Sequence, residues 1–273
     1  METLPPKRIM TREENLDMFF RDGRTVILPI DHGVAIPVPG LEKPFELIEK
    51  VNPFVDGYVM NLGLAMRSGD LIQGKGLCLR TDVYNTRLLG PGAGSIPVYG
   101  IETAEMLGAH GVMNMLFPFS ENEADVTQTC ADLITDSLEI DIPVILESLP
   151  YGLGQKDRYT VDNVRFAVRL AAELGADVVK TVYPTNGTVD DFRSVVAESY
   201  VPVIVLGGAA MGDDAGLFKM VEDAIRAGAS GIAIGRNVWQ HPNPAAVARS
   251  LYAIVHEEAN ALEALALMKE PVK

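Results

Sequence analysis

Eight short apolar runs recur along the chain, and the segments between most of them carry apolar residues at helical spacing. The runs cover residues 25–31 (TVILPID), 56–61 (DGYVMN), 76–82 (GLCLRTD) and 111–117 (GVMNMLF). Four more cover residues 143–148 (PVILES), 177–183 (DVVKTVY), 202–208 (PVIVLGG) and 231–237 (GIAIGRN). Each reads as a buried strand. Between them, residues 160–176 place Val164, Ala167, Val168 and Ala171 on one stripe of a helix, and residues 214–229 repeat the pattern. Both segments close on a glycine, Gly175 and Gly228, suited to the left-handed helix stop.

Strands alternating with helices imply a parallel sheet, because a parallel return needs a crossover. Eight units of about 34 residues favour a closed α/β architecture, the (β/α)8 TIM barrel, as a single domain. An open doubly wound sheet is the alternative. It should carry G-x-G-x-x-G after its first strand, whereas the first run here leads into DHGVAIP. The barrel is expected over residues 24–265, after an N-terminal extension of residues 1–23 and before a C-terminal tail of residues 266–273. Residues 243–268 read as one more helix. The Gly- and Pro-rich third connection, residues 83–109, reads either as an active-site loop or as a surface excursion.

Composition narrows the partners. With 48% apolar and 22% charged residues, the chain can build a sizeable core. A net charge of -14 disfavours nucleic acid and anionic membrane as partners, while a local basic pocket can still hold a phosphate. Cys78 and Cys130 form neither a metal-ligand cluster nor a C-x-x-C pair, as suits a reducing cytoplasm. No apolar stretch has the length of a signal peptide or membrane span, so the protein is expected to be soluble and unexported.

In such a barrel the chemistry sits at the carboxyl ends of the strands. The polar residues there are Asp31, His32, Asn61, Arg80, Asp82, Asn114, Glu147 and Lys180. Lys180 stands in the middle of an apolar strand, where an unpartnered lysine is seldom found. Alternation puts Val178, Lys180 and Val182 on one face, but both faces are apolar, so the pattern does not say which one faces the barrel axis. If Lys180 points inward, burial favours its neutral, nucleophilic form, which suits imine formation with a carbonyl substrate. The plain structural reading is an ion pair with Asp31 or Glu147.

Gly207, Gly208 and Gly235 permit close backbone approach, and Arg236 adds a positive fork, so the loops after strands seven and eight are candidates for a phosphate site. A phosphorylated small-molecule substrate follows. Asp31 and His32 pair a carboxylate with an imidazole for proton transfer, or cap the turn they enter. Asp31, His32 and Glu147 could ligate a divalent ion, but no second histidine stands at a strand end, so no metal and no cofactor is expected. His110, His241 and His256 read as structural or surface residues.

At DHG, VVKTVYP, VLGG and IGRNVWQH the sequence resembles the DhnA-type class I aldolase family, over residues 24–261. That family includes archaeal fructose-bisphosphate aldolases, an aminodideoxyheptulosonate synthase and an LsrF-like thiolase. The resemblance implies a (β/α)8 barrel, a catalytic lysine at Lys180, an aspartate at Asp31, a phosphate site at Gly207, Gly208, Gly235 and Arg236, and a homo-oligomer. Arg80 joins the substrate- and phosphate-binding candidates. Strand five departs from the pattern, with Leu149 where the family's proton-transferring tyrosine should be and Tyr151 where an arginine should be. Glu147, sharing a proton with Lys180, is therefore expected to move protons together with Asp31, Tyr151 and His32. The expected activity is a metal-independent class I aldolase acting on a phosphorylated ketose or related keto compound. Alternatives are acyl transfer to coenzyme A, as in the LsrF-like branch, and a catalytically silent barrel that binds a sugar phosphate.

Overall fold

The eight apolar runs form the eight parallel strands of one closed barrel, consecutive in the chain and consecutive around the ring. They are β1 (Thr25–Pro29), β2 (Gly57–Met60), β3 (Gly76–Arg80), β4 (Gly111–Leu116), β5 (Val144–Ser148), β6 (Val178–Val182), β7 (Val203–Leu206) and β8 (Gly231–Ala233). The coordinates are a computed structural model and describe residues 10–34, 38–84, 95–208 and 212–271.

A helix returns the chain after each strand, as in Val161–Leu174 between β5 and β6. Thr160 caps its start by accepting the Asn163 N–H, Gly175 ends it at φ 107°, and Val164, Ala167, Val168 and Ala171 lie on the buried side as their spacing predicts. The last helix expected over residues 243–268 is two, Pro244–His256 and Ala261–Leu267. Glu258 at φ 58° turns the chain, and Asn260 starts the second helix with a reciprocal cap to Glu263. Of the long third connection, Asp82–Tyr84 pairs antiparallel with Ser95–Pro97. Residues 85–94, the centre of this connection, read either as an active-site loop or as a surface excursion, lie outside the described residues.

Each strand contributes one residue to an inner apolar layer: Ile27, Val59, Cys78, Met113, Ile145, Val178, Ile204 and Ala233. Phe19 closes this layer from below, 1% exposed. Its ring occupies the space that side chains would take at the first residues of β2 and β3. A Cβ on Gly76 would lie 2.3 Å from the ring and one on Gly57 2.7 Å. The short helix Arg12–Asp17 holds Phe19 in place, anchored by a fork from Arg12 to Asp177 at 2.6 and 2.7 Å. The described part of the segment expected as an extension, residues 10–23, thus supplies the barrel's floor, because open strand ends expose an apolar layer that something must cover.

Phe19→Ala should lower stability by about 3–5 kcal/mol, the usual cost of truncating a buried aromatic side chain. A chemical denaturation midpoint equal to wild type would show that the floor is dispensable.

Candidate functional site

Two residues beyond the apolar layer, the same alternation brings charge to the barrel axis. Ile145 is followed by Glu147, Val178 by Lys180 and Cys78 by Arg80. Lys180 therefore faces inward, which both-sided apolarity had left open. Glu147 and Lys180 are register partners on adjacent strands, and Lys180 Nζ lies 2.9 Å from Glu147 Oε2. Lys180 is 3% exposed, with Met113 Sδ 3.9 Å from Nζ.

Arg80 organises the layer. Its Nε donates to Asp31 Oδ2 at 2.7 Å, one Nη donates to Glu147 Oε2 at 2.6 Å, and the other lies 3.3 Å from Asp82 Oδ1. The guanidinium also lies 4.7 Å from the centre of the Tyr84 ring. Three carboxylates thus surround two cations, all of them buried. Burial opposes the charge of Asp31, but Arg80 above all, then His32 and Lys180, hold its carboxyl well below the usual range. For Glu147, burial is again outweighed, here by Lys180 and Arg80, and the carboxyl is held low. Asp82 goes the other way. Burial raises it despite Arg80, Ser95 and the Met115 N–H, which brings the cluster nearer to electroneutrality.

Above the cluster opens a cavity of about 270 Å³. Lys180 and Glu147 form part of its floor, Gly207, Gly208, Gly235 and Arg236 one wall, and Leu149, Leu153, Lys156 and Tyr159 another. His32 and Tyr84 also line it. Two of the wall glycines leave no room for a side chain, and the third, Gly208, has open space but a left-handed backbone at φ 65°. A Cβ on Gly235 would sit 2.6 Å from the Pro29 carbonyl oxygen, and one on Gly207 2.8 Å from the Ile234 side chain. Arg236 Nε is buried and has no hydrogen-bond partner among the described residues.

Barrel, inward lysine and adjoining glycine wall match a known group. The profile of DeoC/LacD family aldolases matches residues 25–241. The chain belongs to this family. It is 33% identical to 2-amino-3,7-dideoxy-D-threo-hept-6-ulosonate synthase 1 of Archaeoglobus fulgidus, over 91% of this chain and 92% of that one. It is 37% identical to the class 1 fructose-bisphosphate aldolase of Halobacterium salinarum over 60% of this chain and 62% of that one. An archaeal fructose 1,6-bisphosphate aldolase superposes with a TM-score of 0.80 at 30% identity, covering 90% of this chain and 99% of that one. Another archaeal fructose-1,6-bisphosphate aldolase, solved with its catalytic lysine bound to a carbinolamine intermediate, superposes with a TM-score of 0.79 at 30% identity, over 89% and 98%. The protein is thus a class I, Schiff-base-forming aldolase.

Several site residues stand elsewhere than this family member's sequence suggests. Arg80 is not at the phosphate wall: it is 1% exposed and its donors are taken by carboxylates. Asp31 is fully buried behind the cavity rather than in its wall, as a counter-ion to Arg80. Tyr151 adopts φ 62°, which turns its ring away to Phe119, 5.1 Å between centres, with the Arg158 guanidinium 5.0 Å away. Both Arg80 and Lys180 sit on Glu147 Oε2 and, against burial, hold its carboxyl below the usual range. The position a divalent ion would need between Asp31 and Glu147 is held by the Arg80 guanidinium.

Asn114 faces outward, bonded to Thr81 and to Cys130 of the helix Glu123–Ser137. The remaining histidines are structural: His110 accepts the Leu77 N–H, His256 lies 2.8 Å from Asp56, and His241 lies 3.4 Å from Asp214. Sequence reasoning missed Tyr84, Lys156 and Tyr159. Tyr84 directly follows the Arg80 to Asp82 run and was within reach of the strand-end argument. The other two come from a loop whose path no periodicity encodes.

Arg80→Met should destabilise the protein by about 3–5 kcal/mol at neutral pH, since it leaves buried carboxylates without their cation. The pH dependence should also reverse. In the wild type, Asp31 and Glu147 are depressed, so their contribution is present above the ordinary carboxylate range and is lost as pH falls through the folded values. Without Arg80, Asp31 loses the charge that most lowers it and burial pushes its carboxyl up, while Lys180 still holds Glu147 low, so through Asp31 the variant should gain stability relative to wild type on acidification from pH 7 toward pH 5. Parallel stability curves from urea titrations at several pH values would refute this assignment.

Proposed function

We propose that Lys180 is the Schiff-base residue and that the substrate is a phosphorylated ketose or related keto compound, its phosphate held at Gly207, Gly208, Gly235 and Arg236. One observation carries the reading. A buried lysine in the floor of the cavity adjoins a wall of three glycines, two of them with no room for a side chain, beside an arginine whose buried Nε has no acceptor among the described residues. Relatives named as fructose-bisphosphate aldolases support a phosphorylated sugar as the substrate class.

Nζ attacks the keto carbon, the carbonyl oxygen leaves as water, and a protonated imine forms. The bond between the adjacent carbon and the next one then breaks. Its electron pair flows into the imine, giving an enamine and releasing an aldehyde. Ammonium and iminium carry the same charge, so ionised Glu147, 2.9 Å from Nζ, stabilises the state before attack and the state after it. Arg80 keeps that carboxylate fixed in place.

No described helix is long and apolar enough to cross a membrane. Cys78 and Cys130 are free and buried, which supports a reducing, cytoplasmic setting. The family resemblance supports a homo-oligomer.

Borohydride reduction with a keto phosphate should place a single secondary-amine adduct on Lys180, found by peptide mass spectrometry, and Lys180→Met should abolish it while keeping the fold. An adduct on any other lysine removes Lys180 from the mechanism. Arg236→Ala should weaken the phosphorylated substrate by about 10-fold or more, and its dephosphorylated analogue far less, because a charge-assisted bond is lost in one case only. Equal losses would make Arg236 a structural residue.

A further inference from the structure

An aldolase must also move a proton: on to the enamine carbon, and off the hydroxyl of the carbon that becomes the aldehyde. In this chain the position of the family's tyrosine is Leu149, which lines the cavity and has no proton to give. The other groups at hand are occupied. Glu147 carries two cations on one oxygen. The Tyr159 hydroxyl donates to the Gly152 carbonyl at 2.7 Å and accepts from the Gln155 N–H at 3.3 Å, so it is spent on holding its loop. Tyr151 faces away from the cavity.

We propose that His32, oriented by Asp31, carries this proton. The assignment rests on the Schiff-base reading above. His32 lines the cavity, and its Nδ1 lies 3.4 Å from Asp31 Oδ1. Both atoms are buried, and neither has a hydrogen-bond partner among the described residues. At this separation the direction of the imidazole N–H, not distance alone, keeps the bond open, and a small rotation of the ring toward Oδ1 would close it. The other oxygen of Asp31 is fixed by Arg80 at 2.7 Å, so the carboxylate cannot turn away. Trp239 packs edge-on against the imidazole, with centres 5.5 Å apart and planes at 71°, and is itself anchored by its Nε1–H to the Pro29 carbonyl at 3.1 Å.

An ionised Asp31 selects the tautomer with the proton on Nδ1, leaving the lone pair on Nε2, which has no hydrogen-bond partner among the described residues. This is the arrangement of a carboxylate-oriented general base. In cleavage, Nε2 takes the hydroxyl proton as the carbon–carbon bond breaks and the iminium becomes an enamine. The imidazolium then returns that proton to the enamine carbon, regenerating iminium and neutral imidazole, and water releases the ketone and the Lys180 ammonium. Protons and electron pairs balance without any further reactant. The charged groups sharing the cavity with His32 are Glu147, Lys156, Lys180 and Arg236, while Asp31, backed by Arg80, is the charge at Nδ1. Tyr84 is the remaining phenol in the wall among the described residues, and burial, then Asp31, raise it well above its usual range, so it keeps its proton and offers no phenolate to accept one.

The test uses dihydroxyacetone phosphate, a three-carbon keto phosphate, because imine formation and proton transfer can be read separately on it. Borohydride trapping reports the imine. Exchange of the hydrogen on the carbon next to the imine into deuterium oxide, followed by NMR, reports proton transfer. His32→Gln should be trapped on Lys180 as fully as wild type while exchange falls 100-fold or more. In His32→Ala, added imidazole should restore part of the exchange, which a merely structural role would not allow. Wild-type exchange in His32→Gln, trapping that falls in step with exchange, or loss of exchange in Tyr84→Phe instead would each overturn the assignment. No adduct on wild-type Lys180 would overturn the Schiff-base reading and His32 with it, whereas an adduct with unchanged exchange in His32→Gln overturns His32 alone.

Discussion

The grip of Arg80 on the carboxylates is the interaction on which the rest of the site depends. A barrel interior is a poor solvent for charge, yet Asp31, Asp82, Glu147 and Lys180 all lie there. One guanidinium, bonded to Asp31 after β1 and to Glu147 on β5, joins distant parts of the ring through a single planar group. The consequence reaches Lys180, whose partner Glu147 is fixed before any substrate arrives. It also reaches His32, because the carboxylate beside it is fixed by the same guanidinium. A lysine in place of Arg80 could not make these bonds at once, since they call for separate donors held in one plane.

The architecture was largely legible in the sequence because parallel barrel strands, covered on both faces, read as continuous apolar runs with turn residues at their ends. The same continuity hid the orientation of Lys180. With valines on both faces, alternation has no polar side to mark, and only the closed ring shows that Val178 belongs to the inner layer. Arg80 misled for a related reason: an arginine at a strand end has the same signature whether it meets phosphate or carboxylate, and the difference lies in partners remote in sequence. The floor did leave a trace. Gly57, Gly76 and Gly111 each open a strand, and missing side chains at successive strand starts mark a place where something else packs, here Phe19.

Strand five shows where a resemblance stops being informative. Tyr151 lies two residues past Leu149, but a left-handed backbone at Tyr151 sends its ring outward, so proximity in sequence to the lost tyrosine has no functional weight. The loop instead turns Tyr159 into the cavity wall and uses its hydroxyl to tie the loop to itself. A phenol remains in the wall, but as a brace.

Proton delivery from an imidazole after β1, as proposed for His32, would come from a different direction than delivery from a group at the end of β5. β5 is the immediate neighbour of β6, whereas β1 lies three strands from it around the other side of the ring. A group beside the lysine and a group across from it approach the planar enamine from different directions. If the phosphate is held as proposed at the loops after β7 and β8, between the two, the substrate would keep its anchor whichever side delivers the proton. The barrel allows such a change at little structural cost. Every strand end points at the same cavity, so a reactive group lost from one can be supplied by another, provided that a fixed partner orients it. Asp31 can provide that orientation only because Arg80 holds it in turn, and Arg80 is held by the Glu147 that faces Lys180. The lysine and the imidazole are thus joined through one buried chain of charge, which is why the position of one constrains the position of the other.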